Sequence, residues 1–194
     1  MSAGLLQVRA DSVASVPWRN GGGRTRELLT RPAGADWSLR ISLADIDADG
    51  PFSNFAGTRR WFAVVAGAGV RLRFAAQVHV LTADTEPLQF DGALAPDCVL
   101  LDGPTRDLNL MLRDGVAAMR RALPEIEWNE GFDERGLFTL SAGTLYSEAN
   151  APITLAPLTL AWQIGPGACR FAPSSPGRGG FWLGWSDLAA QGGS

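Results

Sequence analysis

Apolar and polar residues alternate with a period of two in most segments of this chain that can form secondary structure. In residues 37–43 the odd-numbered positions are apolar and the even-numbered positions are polar. Residues 70–74 repeat the pattern, with Arg71 and Arg73 at the polar positions. This alternation is typical of β-strands with one buried face. Many short strands of this kind predict an all-β sandwich or barrel.

Turn-forming residues separate these segments. Gly67 and Gly69 join the predicted strands 61–66 and 70–74 as a hairpin. A strand rather than a helix follows this Gly-x-Gly, so it does not predict a dinucleotide-binding site. One helix is predicted at residues 116–123, where an Ala- and Arg-rich run ends before Pro124. Further strands are predicted at 137–142, 153–160, 161–164 and 181–185.

Length and hydrophobicity predict a globular protein without a membrane anchor. The 194 residues fit one large all-β domain or two small ones, and a hydrophobic fraction of 46% suffices for a core. No apolar run approaches the roughly 20 residues that cross a bilayer. Arg9 and Asp11 interrupt any leader-like stretch, so we expect a cytoplasmic protein. Cys98 and Cys169 lack a C-x-x-C spacing and are expected to be inert buried thiols.

The charged residues limit the classes of binding partner that are expected and exclude several kinds of chemistry. A net charge of −3 disfavours nucleic acid and anionic membranes as partners. All 17 basic residues are Arg, which excludes Schiff-base formation, pyridoxal-phosphate attachment and P-loops. His79 is the single histidine, whereas a histidine-built metal centre needs two or three. We therefore expect no metal and no cofactor.

The densest cluster of candidate ligand-binding residues lies between positions 18 and 26, in the sequence Trp-Arg-Asn-Gly-Gly-Gly-Arg-Thr-Arg. Three successive glycines permit positive φ angles, and their free N–H groups can form an anion-binding nest that Thr25 and Arg26 would complete. The alternative is a flexible turn that leads into a strand at 26–30. A plain turn rarely needs three glycines beside Trp18, Asn20 and Arg26, so we favour the ligand-binding interpretation.

A second cluster of candidates lies where a loop meets a strand, at residues 105–109. If Leu108 faces one side of the strand, Asp107 and Asn109 face the other, which in a small sandwich can be an internal cavity. Arg106 offers a planar guanidinium suited to a carboxylate. The alternative is a structural network between Arg106 and Asp107. The sequence leaves both interpretations open.

Arg40 presents a similar choice within the alternating segment 37–43. Its side chain either joins the solvated face of the strand or points into a polar pocket, and the sequence does not decide between them.

Four segments together resemble the HutD/Ves family of bicupins. They span residues 16–28, 49–60, 87–92 and 101–111, with Pro-Trp-Arg-Asn-Gly-Gly-Gly at 17–23 and Asp-Gly-Pro-Thr-Arg-Asp-Leu-Asn at 102–109. The resemblance implies an all-β chain of two stacked cupin-type sandwiches, each a double-stranded β-helix or jelly roll. It divides the single bicupin unit, 1–194, into an N-terminal cupin half, 1–114, and a C-terminal cupin half, 115–194, with the predicted helix between them.

The resemblance also bears on individual residues and on function. Trp18 and Phe52 are loop aromatics inside the motifs, where we expect ligand contact. The family usually has Asp at the position of Arg59, beside Arg60. The resemblance implies a bacterial protein linked to histidine utilisation, whose proposed role is to bind a small pathway carboxylate and restrain expression of the pathway.

Two main classes of function follow from these observations. The first is a metal-free, non-catalytic protein that binds a small anionic metabolite, such as urocanate or a formyl- or formimino-glutamate, near Arg26, Thr105, Arg106 and the glycine turn. The second is a metal-free isomerase, lyase or hydrolase with Glu27, Asp107 or His79 as acid or base. The scarcity of catalytic groups favours binding; a scaffold for a protein partner and a homodimer are left open. The candidate ligand-binding residues are Trp18, Asn20, Gly21, Gly22, Gly23, Thr25, Arg26, Arg40, Phe52, Thr105, Arg106, Asp107 and Asn109.

Overall fold

Almost all of the regular secondary structure is β-sheet. The computed structural model describes residues 4–187, and within them it contains eighteen strands and two three-residue 3₁₀ turns, at Ala10–Ser12 and Gly92–Leu94. The prediction of an all-β protein is confirmed. These residues form two compact units: residues 14–114 make the first, and the described residues before 14 and after 114 make the second.

The first unit consists of two antiparallel sheets that pack face to face. The six-stranded sheet has the order β2-β3-β4-β11-β6-β9, with β2 at Val16–Pro17, β3 at Gly23–Arg31, β4 at Leu39–Ile46, β6 at Arg59–Ala66, β9 at Leu88–Asp91 and β11 at Thr105–Leu112. The four-stranded sheet has the order β5-β10-β7-β8, with β5 at Gly50–Pro51, β7 at Val70–Phe74, β8 at Gln77–Leu81 and β10 at Asp97–Leu100. Side chains from both sheets, including Phe62, Val64, Leu72 and Cys98, form one buried core. The unit is therefore a β-sandwich.

Period-two alternation gives the six-stranded sheet two different faces. Directly opposed residues in antiparallel strands share a face, and Asn109 on β11 is opposite Phe62 on β6. Because Phe62 belongs to the sandwich core, this side is the inner face of the sheet. Arg106, Leu108 and Leu110 alternate with the inward residues and occupy the other side, the outer face.

The second unit has the same two-sheet construction. Its five-stranded sheet has the order β1-β16-β13-β18-β12, with β1 at Leu6–Arg9, β12 at Val116–Ala122, β13 at Glu134–Thr139, β16 at Thr159–Trp162 and β18 at Gly180–Ser186. Its three-stranded sheet has the order β15-β14-β17, with β14 at Gly143–Ser147, β15 at Asn150–Leu155 and β17 at Cys169–Pro173. Leu137, Trp182 and Phe171 contribute to the core between the two sheets.

The predicted helix at 116–123 is wrong, because these residues form strand β12. All seven residues of Val116–Ala122 pair with Gly180–Ser186. The Ala- and Arg-rich run has good helix propensity, but pairing with a strand some sixty residues further along the chain overrides that preference.

The first strand belongs to the second unit rather than to the first. Leu6–Arg9 pairs with Thr159–Trp162 at the edge of the five-stranded sheet. The division at residue 114 therefore separates the units only for residues beyond Val13. Across residues 4–187, no helix has the length and apolar character needed to cross a membrane.

Candidate ligand-binding site

A buried arginine lies on the inner face of the six-stranded sheet. Arg60, in β6, is only 6% exposed. Its Nη2 donates a hydrogen bond of 3.0 Å to Oδ1 of Asn109 on the neighbouring strand β11. Its guanidinium carbon lies 5.1 Å from the ring centre of Phe52, 5.5 Å from that of Phe55 and 5.1 Å from that of Phe90. Three aromatic rings and one amide thus surround the cation.

The guanidinium of Arg60 has donors without acceptors. Its Nε and Nη1 atoms are buried and make no hydrogen bond to any residue that the structure describes. Burial, followed by the charge of Arg40, lowers the pKa of Arg60 to about 10, so the group remains positive at neutral pH. A buried charge is normally paired, and each unmade bond to a charged group is costly. The arrangement is suited to an acceptor that the chain itself does not supply.

Arg40 lies near Arg60 but is already paired. Its Nε donates to Oε2 of Glu27 at 2.9 Å, and the two side chains are 21% and 52% exposed, respectively. Residues Arg40 and Ser42 on β4 share the inner face with Asn109, since Ser42 is directly opposite Asn109. The Arg40–Glu27 pair is thus the partly solvent-exposed part of this inner-face cluster.

Asp107 is a second buried polar group on the same face. It is fully buried, and its Oδ2 accepts a hydrogen bond of 2.7 Å from the hydroxyl of Thr105. Its Oδ1 is buried without a partner among the described residues. Burial, which outweighs the Thr105 bond and is assisted by the charge of Asp45, raises the pKa of Asp107 to about 8. Asp107 is therefore mostly protonated at pH 7.

The glycine turn uses its amides within the turn itself. The N–H of Gly21 donates to the carbonyl of Trp18 at 3.1 Å, and the N–H of Gly22 donates to Oδ1 of Asn20 at 3.1 Å. The predicted anion nest would need these amides to be free. A Cβ on Gly23 would lie 2.3 Å from the carbonyl oxygen of Asp45, so glycine is required there by close packing between β3 and β4.

Trp18 links this turn to the sandwich interior. Its Nε1 donates to the hydroxyl oxygen of Thr25 at 2.7 Å, and its ring packs against the core of the first unit. Thr25 is directly opposite Ala44, on the inner face.

Arg26 and Arg106 lie on the outer face and share one carboxylate. Arg26 Nη1 is 2.5 Å from Oδ2 of Asp45, and Arg106 Nε is 2.6 Å from Oδ1 of the same residue. Burial raises the pKa of Asp45, but hydrogen bonds and charges from Arg106 and Arg26 outweigh it, so the pKa lies below 3.8. Arg106 therefore pairs with Asp45, whereas the structural alternative drawn from the sequence had paired it with Asp107.

The predicted candidates thus separate into three groups rather than one site. The inner face carries Thr25, Arg40, Thr105, Asp107 and Asn109, with Trp18 and Phe52 packed against the same core. The outer face carries Arg26 and Arg106, and the turn contains Asn20, Gly21, Gly22 and Gly23.

Sequence reasoning placed Arg60, Phe55 and Phe90 in the family motifs without assigning them a role in binding, and it missed Ser42. A usable signal was present, since Arg60 lies directly before the apolar run 61–65 and shares the period-two positions of Phe62 and Val64.

A family model described as HutD matches residues 10–175. The chain belongs to the HutD family. The resemblance drawn from the four sequence segments is confirmed, and membership associates this HutD-family chain with histidine utilisation.

Curated relatives of this HutD-family chain include two bacterial proteins. An uncharacterised 21.2 kDa protein from the 3′ region of hutC in Pseudomonas putida is 35% identical over 130 residues, which cover 66% of this chain and 65% of the relative. Protein Ves from Citrobacter koseri is 37% identical over 99 residues, or 50% of this chain and 51% of the relative. The matched part thus spans less than two thirds of either relative's length.

Solved structures match nearly the whole HutD-family chain. A conserved protein of unknown function from Pseudomonas aeruginosa PAO1 is 28% identical with a TM-score of 0.83, over 95% of this chain and 100% of that one. HutD from Pseudomonas fluorescens SBW25, in a formate condition, has 24% identity and a TM-score of 0.80, over 95% and 99% of the two chains.

The fold is a cupin-like β-sandwich. A Bacillus subtilis oxalate decarboxylase variant matches with a TM-score of 0.59 at 8% identity, over 93% of this chain and 77% of that one, which is a likeness of fold alone. Within residues 4–187, no group of three or more His, Cys, Asp or Glu side chains is arranged to hold a metal ion. The inner face carries the carboxyl groups of Asp107, which bonds Thr105, and of Glu27, which pairs with Arg40. These donors do not fit a metal centre.

Proposed function

We propose that this HutD-family protein is a metal-free, non-catalytic binding protein for a small carboxylate, which sits against Arg60 inside the first sandwich. In this proposal each unit is one cupin-type half of a bicupin, and the bound metabolite modulates histidine utilisation. The observation that carries it is the buried guanidinium, two of whose donors have no acceptor within residues 4–187.

The second unit offers an internal comparison for this argument. Arg135 is also buried, at 3% exposure, but its Nη1 donates to the carbonyls of Gly165 and Gly167 at 3.0 and 2.6 Å. Its Nη2 donates to the carbonyl of Trp128 at 3.3 Å. Arg135 is a structural arginine because acceptors within the unit meet both Nη1 and Nη2, and only its Nε lacks a partner among the described residues. Arg60, with one amide acceptor and three aromatic rings, has the same burial without those acceptors.

Carboxylate is the ligand chemistry that best suits Arg60. A carboxylate accepts two parallel hydrogen bonds from a guanidinium and cancels its charge. Phe52, Phe55 and Phe90 would contact the apolar part of the same molecule. A net charge of −3 for the whole chain supports a small ligand rather than nucleic acid or an anionic membrane. We propose that the protein works in the cytoplasm.

Titration calorimetry with urocanate, N-formylglutamate, formiminoglutamate and propionate tests the proposal. Arg60→Met should weaken binding of the best carboxylate at least a hundredfold. Arg73→Met, on an exposed position of β7, is the matched control and should leave binding unchanged. Arg106→Leu should weaken binding less than threefold, because Arg106 is on the outer face with Asp45. Absence of binding by every carboxylate at millimolar concentration would reject the proposal.

An enzyme remains the second candidate because of Asp107. A buried carboxyl group with a pKa near 8 is suited to proton transfer. Its neighbour Cys98 is a weak nucleophile, since burial and the charge of Asp107 raise the thiol pKa to about 12. If any of the four carboxylates is converted during incubation with the wild type, and Asp107→Asn stops the conversion, the enzyme hypothesis replaces the binding hypothesis.

A further inference from the structure

We infer that the ligand of the first unit has two poles: a carboxylate against Arg60, and a nitrogen-bearing cationic group that donates a hydrogen bond to Asp107. The inference rests on the proposed function and identifies the class of ligand more closely. It would make the ligand a small zwitterion rather than a simple acid.

The first observation is the position of the unpartnered atoms. In the described part of the first unit, the buried side-chain nitrogens and oxygens without a hydrogen-bond partner are Arg60 Nε, Arg60 Nη1 and Asp107 Oδ1. Arg60 thus supplies two unpartnered donors on a cation, and Asp107 supplies one unpartnered oxygen on a carboxyl group. All three belong to side chains of the inner face.

The second observation is the spacing of these groups. Arg60 bonds Asn109, and Asp107 is two residues before Asn109 on the same strand and the same face. Two residues along a strand span roughly 7 Å. A ligand whose poles are about four methylene groups apart therefore fits both positions.

The third observation is that no described residue of the neighbouring elements supplies a hydrogen-bond donor to Asp107 Oδ1. Thr105 bonds its Oδ2, and Cys98 on the facing sheet interacts with it as a neutral thiol. The negative charge of Asp45, on the adjacent strand β4, raises the pKa of Asp107 further. Arg60 and Arg40 lie further along the inner face, with Arg40 paired to Glu27. A cationic ligand group would let Asp107 ionise and form a charge-assisted bond.

Three straight-chain probes of equal length distinguish the possibilities. In 5-aminopentanoate an ammonium group reaches Asp107, in hexanoate a methyl group takes its place, and in adipate a second carboxylate does. We expect 5-aminopentanoate to bind the wild type at least tenfold more tightly than hexanoate, and adipate to bind no better than hexanoate. Because Asp107 gives up its proton when the ammonium binds, calorimetry at pH 7 in phosphate and in Tris should also report proton release for 5-aminopentanoate alone.

Asp107→Asn tests the second pole without removing the Thr105 contact. This variant should bring 5-aminopentanoate to within threefold of hexanoate and leave hexanoate affinity nearly unchanged. Its thermal melting should remain cooperative, which shows that the folded protein is being measured. Arg60→Met should abolish binding of all three probes, and Arg73→Met should change none of them.

The outcomes separate this inference from the proposed function. Equal binding of hexanoate and 5-aminopentanoate by the wild type, both lost in Arg60→Met, would overturn the zwitterion and keep the carboxylate site. Tighter binding of adipate than of hexanoate would also overturn the zwitterion, because a protonated Asp107 would then be donating a hydrogen bond to the second carboxylate. Equal weakening of both monocarboxylates by Asp107→Asn would assign Asp107 to the support of the site. If no probe binds, both the inference and the proposed function are wrong.

Discussion

Replacing each of the two buried arginines by Met should have opposite consequences for stability and binding. Arg135→Met removes three hydrogen bonds to backbone carbonyls, those of Gly165, Gly167 and Trp128, together with a weak bond to Cys169 Sγ and one buried donor, Nε, without a partner in the described residues. At about 1 kcal/mol net for each bond, we expect unfolding free energy to fall by about 3 kcal/mol. Arg60→Met removes one bond, to Asn109, and also removes two buried donors that had no acceptor.

The stability of Arg60→Met should therefore stay close to that of the wild type. Met keeps contact with the Phe rings through its thioether, and replacing an uncompensated buried charge by an apolar side chain is often neutral or stabilising. We expect a change within about 1 kcal/mol, or within about 4 °C in melting temperature. Binding should behave differently: two charge-assisted bonds at about 1.5–3 kcal/mol each correspond to a loss of affinity of about 10²- to 10⁴-fold.

Urea denaturation and titration calorimetry on the same preparations measure both effects. We expect a folded, stable Arg60→Met that has lost carboxylate binding and a destabilised Arg135→Met. If Arg60→Met loses as much stability as Arg135→Met, and the remaining folded protein binds carboxylates as the wild type does, then Arg60 is structural and its unpartnered donors do not mark a ligand site.

Three further predictions concern individual side chains of the first unit. The folded-state pKa of Asp107 is raised to about 8, so the folded protein holds a proton that the unfolded chain releases near pH 4. Wild-type stability should therefore fall relative to that of Asp107→Asn as pH rises from 4 to 8. Urea melts should show a decrease of at most about 1.4 kcal/mol per pH unit. Asp45 has a lowered pKa, so Asp45→Asn should destabilise at pH 7, and the difference from wild type should disappear as pH falls through that pKa. Gly23→Ala should lower stability by more than about 1 kcal/mol, because its Cβ would lie 2.3 Å from the Asp45 carbonyl oxygen, whereas Gly22→Ala, with a nearest contact of 3.5 Å, should be nearly neutral.

Alternation in the sequence predicted the inward residues of β11 correctly, whereas the predicted strands 153–160 and 161–164 are in fact Asn150–Leu155 and Thr159–Trp162. Asp107 and Asn109 face the sandwich core while Leu108 faces away, as the period of two requires. The same pattern places Arg106 outward. The partner of Arg106 could not be predicted, because Asp45 comes from a strand sixty residues earlier and is paired with β11 only in the folded sheet.

Local propensity failed where a distant strand decides the conformation. The helix was predicted at 116–123 because Ala, Met and Arg favour helical structure. In the structure, however, β18 pairs with every residue of 116–122. Leu6–Arg9 likewise lies at the edge of a sheet whose adjacent strand is Thr159–Trp162. No signal within either segment identifies its partner, since strand pairing at this separation depends on which other edges the completed sheet leaves free.

Arg60 illustrates a signal that alternation does contain. Apolar residues occupy positions 61–65 of β6, and a charge directly before them at an inward position opposite Met111 costs desolvation energy. Such a residue persists in a folded chain when backbone acceptors compensate it, as they do for Arg135, or when a bound molecule does. The sequence cannot distinguish these two cases, because the acceptors around Arg135 come from loops at 165 and 167. The hydrogen-bond partners in the folded structure do distinguish them, and they favour the first unit as the one that binds a ligand.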